Sequence, residues 1–151
     1  FPPGSVGYAS QYIDFTGVEM TFTKSDARFT SMTKPFDQGM NTKLHSVLSK
    51  IQPGLKLDRT YWLAHGPHFE TTAEINAIEK LGGEVVGMTM PRECKLAAEL
   101  EIPYSAILVS SNWAAGREPG DSGKDLNHEE VSSNAESRLG PVVECIKAFT
   151  Q

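Results

Sequence analysis

The stretch Trp62–Thr89, WLAHGPHFETTAEINAIEKLGGEVVGMT, constrains the fold more than any other part of the chain. It opens on an apolar run, turns at Gly66-Pro67, and reaches Phe69-Glu70 just before a helical pattern. Thr71 and Glu74 have the spacing of a capping box, which satisfies free amides at a helix start. Ala73, Ala77, Ile78 and Leu81 then recur on one helical face, and Gly82-Gly83 is a stop signal. Val85–Met88 follows as a short apolar strand. The pattern predicts a β-turn-α-β unit with an aromatic ring and a carboxylate at the end of its first strand. In open α/β sheets, ligands sit at that edge.

The remaining segments extend this unit in both directions. Val6–Phe15 reads as extended, and Thr16–Lys34 as a long polar surface loop holding at most one short strand. Asp37 is the expected N-cap of a helix through Ile51, ended by Pro53-Gly54. Met40, Leu44, Val47, Leu48 and Ile51 are its expected buried face, and His45 is read as a surface histidine. Tyr61–Ala64 is the strand that leads into the central stretch. Pro91 suits the first turn of the next helix, where its missing N–H costs nothing. Leu96, Ala97 and Leu100 are that helix's expected face.

Tyr104–Ser110, YSAILVS, is the most strand-like run and is expected to be fully buried. It should deliver Ser111-Asn112-Trp113 to the same sheet edge as Phe69-Glu70 and Met88-Thr89. Ala115–Leu126 is rich in Gly, Pro and charge, a lid or a connector. The last helical pattern starts at Asn127, with Glu130 three residues on. It runs through Val131, Ala135, Leu139, Val142, Val143, Ile146 and Phe149, with a kink or break expected at Gly140-Pro141. Strands alternating with helices predict an α/β fold, a mostly parallel sheet with helices on both faces, formed by residues 1–151 as one domain.

Composition removes several function classes. A formal net charge of −5 argues against a nucleic-acid partner. No apolar run approaches the ~20 residues that span a bilayer, so no membrane insertion is expected. Cys94 and Cys145 stand alone and read as reduced thiols. With no signal peptide evident, the expected location is the cytoplasm or another reducing soluble compartment. His65 and His68 flank the Gly-Pro turn, but no third ligand is spaced to join them, so no metal is expected. The chain begins at Phe1, which leaves its true start open.

Phe69-Glu70, Met88-Thr89 and Asn112 are the residues expected to meet. They offer an apolar slab, a carboxylate, a hydroxyl and an amide. That mixture suits a flat heteroaromatic with donors and acceptors on its rim. Glu70 can accept from ring N–H groups, and Asn112 can both donate and accept. His128 sits in the first turn of the last helix, where the helix N-terminus disfavours imidazolium and keeps the ring neutral.

GPHFETTAEI followed by GGEVVGMT resembles the purine nucleoside phosphorylase and methylthioadenosine phosphorylase family. The resemblance implies that Phe69, Glu70 and Met88 form a purine and ribose pocket, with Tyr61 on the sugar side and Thr89 on phosphate. Ser111-Asn112 matches a Thr-Asn or Thr-Asp motif whose second residue stabilises the departing base, and Asn goes with 6-oxopurines. His128 matches a residue beside the ribose 5′ group. DARFTSMT resembles a loop that crosses to a neighbouring subunit, where an aromatic at the position of Phe29 closes the ribose site.

The resemblance runs from about Gln11 to Val131, the second half of the family's domain. It therefore implies an incomplete nucleoside phosphorylase-like fold. The family's Gly-rich phosphate loop and its Arg and His phosphate ligands have no match in the chain. Two local departures stand out: MTMPREC replaces the usual MTxVPE run, and His65 replaces a small or acidic residue.

The expected reaction is phosphorolysis of a purine ribonucleoside to free base and ribose 1-phosphate, with phosphate as co-substrate and no other cofactor. A companion segment or chain would supply the phosphate half, in a homo-oligomer of trimer type or a larger complex. The alternative is a non-catalytic paralogue serving as a structural subunit. Hydrolysis by water would need no phosphate loop, but no motif supports it.

Overall fold

The computed structural model describes residues 1–23, 25, 29–129, 131–132 and 139–150. β1 (Val6–Asp14) and β2 (Asp58–Leu63) pair in parallel, and β3 (Val85–Gly87) is parallel to β2 on its other side. β4 (Ile107–Val109) flanks β1 and is antiparallel to it, so the order is β3-β2-β1-β4. This is the α/β class that the alternation of elements predicts. A register shift between Ala9 and Gln11 interrupts the β1–β2 ladder. Such a bulge bends a strand locally.

Four helices are described: α1 (Gln38–Ile51), α2 (Thr72–Lys80), α3 (Met90–Glu99) and α4 (Leu139–Lys147). The Asp37 carboxylate accepts from the Met40 amide at 2.8 Å and starts α1. Thr71 and Glu74 complete their reciprocal box at the head of α2. Val6 and Tyr8 pack with Leu44 and Leu48 of α1 and with Cys145 of α4. Ala9, Tyr61 and Leu63 pack on the opposite side with Met90 and Cys94 of α3 and with Phe36. The core is thus two apolar layers, one on each side of the sheet.

Several expected faces are corrected. α2 buries Ile75 and Ile78, while Ala73, Ala77 and Leu81 are exposed. Alanines hide little area when they are buried. α3 buries Met90, Pro91 and Cys94; Leu96 and Ala97 are half-buried, and Leu100 is exposed. On α1, Ile51 is exposed and Met40 and Val47 are half-buried, whereas Asn41 is buried. Its amide donates to the Ala9 carbonyl at 3.0 Å and accepts from the Ser105 hydroxyl at 2.5 Å, so the buried polar group is satisfied.

β4 is three residues long and only Leu108 in it is buried, because it lies at an edge of the described sheet. α4 has Gly140-Pro141 in its first turn and buries Cys145, leaving Leu139, Val143 and Ile146 exposed, as is Phe149 beyond it; the expected kink falls next to residues 133–138, outside the described residues. No strand occurs among the described residues of the 16–34 loop. Glu130, Ala135 and the DAR of DARFTSMT lie outside the described residues.

At the end of β1 the Asp14 carboxylate, its side chain 5% exposed, pairs with Lys95 of α3 and accepts from the Thr16 amide and hydroxyl at 2.9 and 2.7 Å. Burial pushes the Asp14 carboxyl up, but the hydrogen bonds from Lys95 and Thr16 outweigh it and leave its pKa below the usual value of 3.8. A depressed folded pKa stabilises the fold fully above the unfolded value, and that contribution is lost as pH falls through the folded one. Urea unfolding between about pH 6 and about pH 2.5 should therefore show an acid destabilisation that Asp14→Asn reduces.

Candidate functional site

The loop between β2 and α2 is shaped at Gly66. Its φ of 69° belongs to the left-handed region, and a Cβ there would overlap the Met88 thioether. Met88 therefore lies against the Gly-Pro turn that precedes Phe69-Glu70. Phe69 and Met88 are 45% and 49% exposed, and both line a cavity of about 1250 Å³. Glu70, Thr89, Tyr61, Asn112 and His128 line the same broad, open cavity, so seven of the eight candidate residues border one space. Phe29, 98% exposed, does not line it.

Tyr61 is buried on β2, and burial pushes its phenol pKa up, against hydrogen bonds from the Thr89 backbone and hydroxyl and the Met90 backbone. The phenol thus sits at the head of α3, whose N-cap is Thr89. Thr89 has no side-chain cap bond, which leaves its hydroxyl to the Tyr61 phenol. A helix head of this kind favours negative charge.

Asn112 arrives by a route that the sequence did not foretell. Because β4 is antiparallel, its carboxyl end lies beside the start of β1: Gly4 donates to Ser110 at 2.7 Å, and Ser110 donates to Ser5 at 2.9 Å. That is the opposite end of the sheet from the ends of β2 and β3, which corrects the expected shared edge. The cavity spans this separation and takes in both ends. The chain beyond Asn112 then turns toward α2, where the Arg117 guanidinium donates to Asn76 at 2.7 Å and Glu79 at 2.8 Å. The Asn112 amide donates to the Trp113 carbonyl at 2.8 Å and accepts from Ser111 at 2.8 Å. Each end of the amide keeps capacity for one more bond.

His128 is exposed at the start of a helical turn in which the Asn127 side chain accepts from the Glu129 amide at 2.9 Å. Sequence reasoning missed Tyr104 and Glu93, which also line the cavity and hydrogen-bond at 2.9 Å. Burial, with the bond to Glu93, pushes the Tyr104 phenol pKa up. Glu93 stands one helical turn after Thr89, the spacing that could have drawn attention to it. The Cys94 thiol, pushed up to about 11 by burial, stays protonated and inert near neutral pH. Among the described residues no three His, Cys, Asp or Glu side chains gather as a metal site, and no helix is long and apolar enough to cross a membrane.

Comparison with known proteins places this geometry. A model of the phosphorylase superfamily matches residues 1–149. The 6-oxopurine nucleoside phosphorylase of Pyrococcus furiosus is 34% identical over 97% of this chain and 57% of its own length. A probable S-methyl-5'-thioinosine phosphorylase of Thermodesulfovibrio yellowstonii is 36% identical over 76% of this chain and 44% of its own. The chain therefore spans about half the length of the curated relatives it matches. A methylthioadenosine phosphorylase from Schistosoma mansoni, solved with adenine, shares the fold with a TM-score of 0.84 at 19% identity, over 97% of this chain and 58% of that one. The cavity flanked by Phe69-Glu70 and Met88-Thr89 thus lies in a shared fold, and by sequence the chain belongs to the phosphorylase superfamily, among the purine nucleoside and methylthioadenosine phosphorylases.

Proposed function

We propose that the chain forms the base- and ribose-binding part of a purine nucleoside phosphorylase that cleaves a 6-oxopurine ribonucleoside to free base and ribose 1-phosphate. One observation carries the reading: Phe69, Glu70, Met88, Thr89, Asn112 and His128 border a single cavity. Its apolar walls accept the faces of the base and sugar. Glu70 accepts from ring N–H groups on one side of the base, and Asn112 pairs with the other side. Cleavage of the glycosidic bond leaves negative charge on the base, so an Asn112 donor acts more strongly on the transition state than on the ground state. Relatives named 6-oxopurine nucleoside phosphorylase support the substrate class.

Tyr61 holds the Thr89 corner at the head of α3, the residue that the family resemblance sets against phosphate. His128 stands by the ribose 5′ group. Phosphate is the co-substrate, and the reading calls for no other cofactor. One helix head does not orient a nucleophile, so a segment beyond residues 1–151 completes the phosphate site. The active form is a homo-oligomer of trimer type, in which Phe29 closes the ribose pocket of a neighbouring copy. The reducing interior of the cell is where it works.

Ligand-dependent melting tests the binding part of this reading. A ligand at about 100 times its Kd adds ~2.7 kcal/mol. Hypoxanthine at such an excess should therefore raise the melting temperature by roughly 5 °C or more. A folded protein whose melting ignores hypoxanthine and inosine alike would instead favour a non-catalytic subunit.

A further inference from the structure

Glu70 and Asn112 each stand on a loop beyond a strand, Glu70 after β2 and Asn112 after β4. The sheet alone therefore does not set the distance between them. What joins the two loops is the segment that follows Asn112. The Arg117 amide donates to the Ala114 carbonyl at 3.0 Å and turns the chain, with Gly116 inside the turn at a φ of 73°. A Cβ on Gly116 would come within 2.8 Å of the Thr72 Cγ2, in the first turn of α2 and two residues from Glu70. Only glycine combines that φ with so close an approach. One residue on, the Arg117 guanidinium donates to Asn76 and Glu79, which lie one turn apart on α2.

Two contacts thus fasten the loop that carries Asn112 to the helix that follows Glu70, one at Thr72 and one further along α2. The ion pair in the second contact adds little to folding, because the Arg117 and Glu79 side chains are 28% and 69% exposed. Its effect is on position. A flat ligand held at both rims needs its two partners at a fixed separation, and small misplacements forfeit much of what preorganised groups supply. Arg117 and Glu79 both border the cavity, so the fastening lies beside the space that it shapes.

We propose that Arg117 is a positioning residue: bound to Asn76 and Glu79, it straps the Asn112 loop to α2 and sets the distance at which Asn112 and Glu70 hold the purine. The inference rests on the reading above, in which those two residues hold the base. The first part of the 115–126 stretch is then a strap and not a free lid. Salt screens an exposed ion pair, so the strap loosens as ionic strength rises.

The test reads the Kd of hypoxanthine in the full-length protein for the wild type, Arg117→Met, Asn112→Ala and the double variant, at low salt and in about 0.5 M NaCl. Arg117→Met should weaken binding about fivefold, the most that an exposed pair holds in place, and leave the urea midpoint near that of the wild type. In the Asn112→Ala background it should weaken binding no further, because the strap acts through Asn112. Salt should shift the wild type toward the variant and leave the variant where it is, since hypoxanthine itself is uncharged at neutral pH. If Arg117→Met fails to fold, Glu79→Gln carries the same comparison from an exposed position on α2. An unchanged Kd, a loss additive with that of Asn112→Ala, or an equal salt response in both proteins would overturn the strap and leave the base site standing. A folded wild type that binds no hypoxanthine would overturn the functional reading and this inference together.

Discussion

Asn112→Ala is expected to cut phosphate-dependent cleavage of inosine by roughly 100- to 1000-fold in kcat, as loss of one preorganised donor at a developing anion does elsewhere. The loss should fall on kcat more than on KM, because the bond strengthens as charge moves onto the base. Among the described residues the Asn112 side chain hydrogen-bonds to its neighbours, the Ser111 hydroxyl and the Trp113 carbonyl. Both are half-buried, so solvent can reach them and the variant should fold with a stability change within ~1 kcal/mol. Steady-state kinetics beside a urea melt separates the two effects. A variant that loses kcat and stability together would show that Asn112 acts on the fold.

Phe36→Ala should bring the largest loss of stability, about 3–5 kcal/mol in urea with an unchanged m-value. Phe36 is 1% exposed at the foot of α1, where its ring lies 6.4 Å from Tyr12 and 6.3 Å from Tyr104. Removing it opens a void between β1, the approach to β4 and α3, whose Met90 and Cys94 share its cluster. Tyr104 borders the cavity, so the same void loosens one wall of the site. Nucleoside binding should weaken along with the fold. A loss under about 1.5 kcal/mol would mean that neighbouring rings collapse into the space.

Local chemistry was legible where a residue's role depends on its near neighbours. Asp37 and Pro53-Gly54 bracket α1 because caps and breakers act within a turn, and the Thr71–Glu74 box forms for the same reason. The corner at Phe69-Glu70 followed from the turn and the helix start on either side of it. What depended on distant partners was not legible. Nothing in YSAILVS encodes direction, since an apolar run serves a parallel or an antiparallel strand equally, and here it pairs antiparallel to β1. Its short edge position also left most of it half-buried.

Helix faces failed for a related reason. Periodicity marked Ala73, Ala77, Ile78 and Leu81, and of these α2 buries Ile78 alone, together with Ile75. Asn41 lies outside the apolar face expected for α1, yet it is buried. It meets the Ala9 carbonyl, beside the bulge of β1, and no reading of α1 alone could have found that partner. The cavity's Tyr104–Glu93 pair likewise joins residues of separate elements. Phe29 was chosen on resemblance alone, and the fold leaves it outside its own chain's cavity.

The central claim is that this chain binds a purine nucleoside for attack by phosphate. Release of hypoxanthine from inosine by the full-length protein, with and without inorganic phosphate, tests it most directly. The account predicts release that requires phosphate, rises with its concentration to saturation, and yields ribose 1-phosphate in equal amount. A folded protein that releases no hypoxanthine, or releases it equally without phosphate, would contradict it.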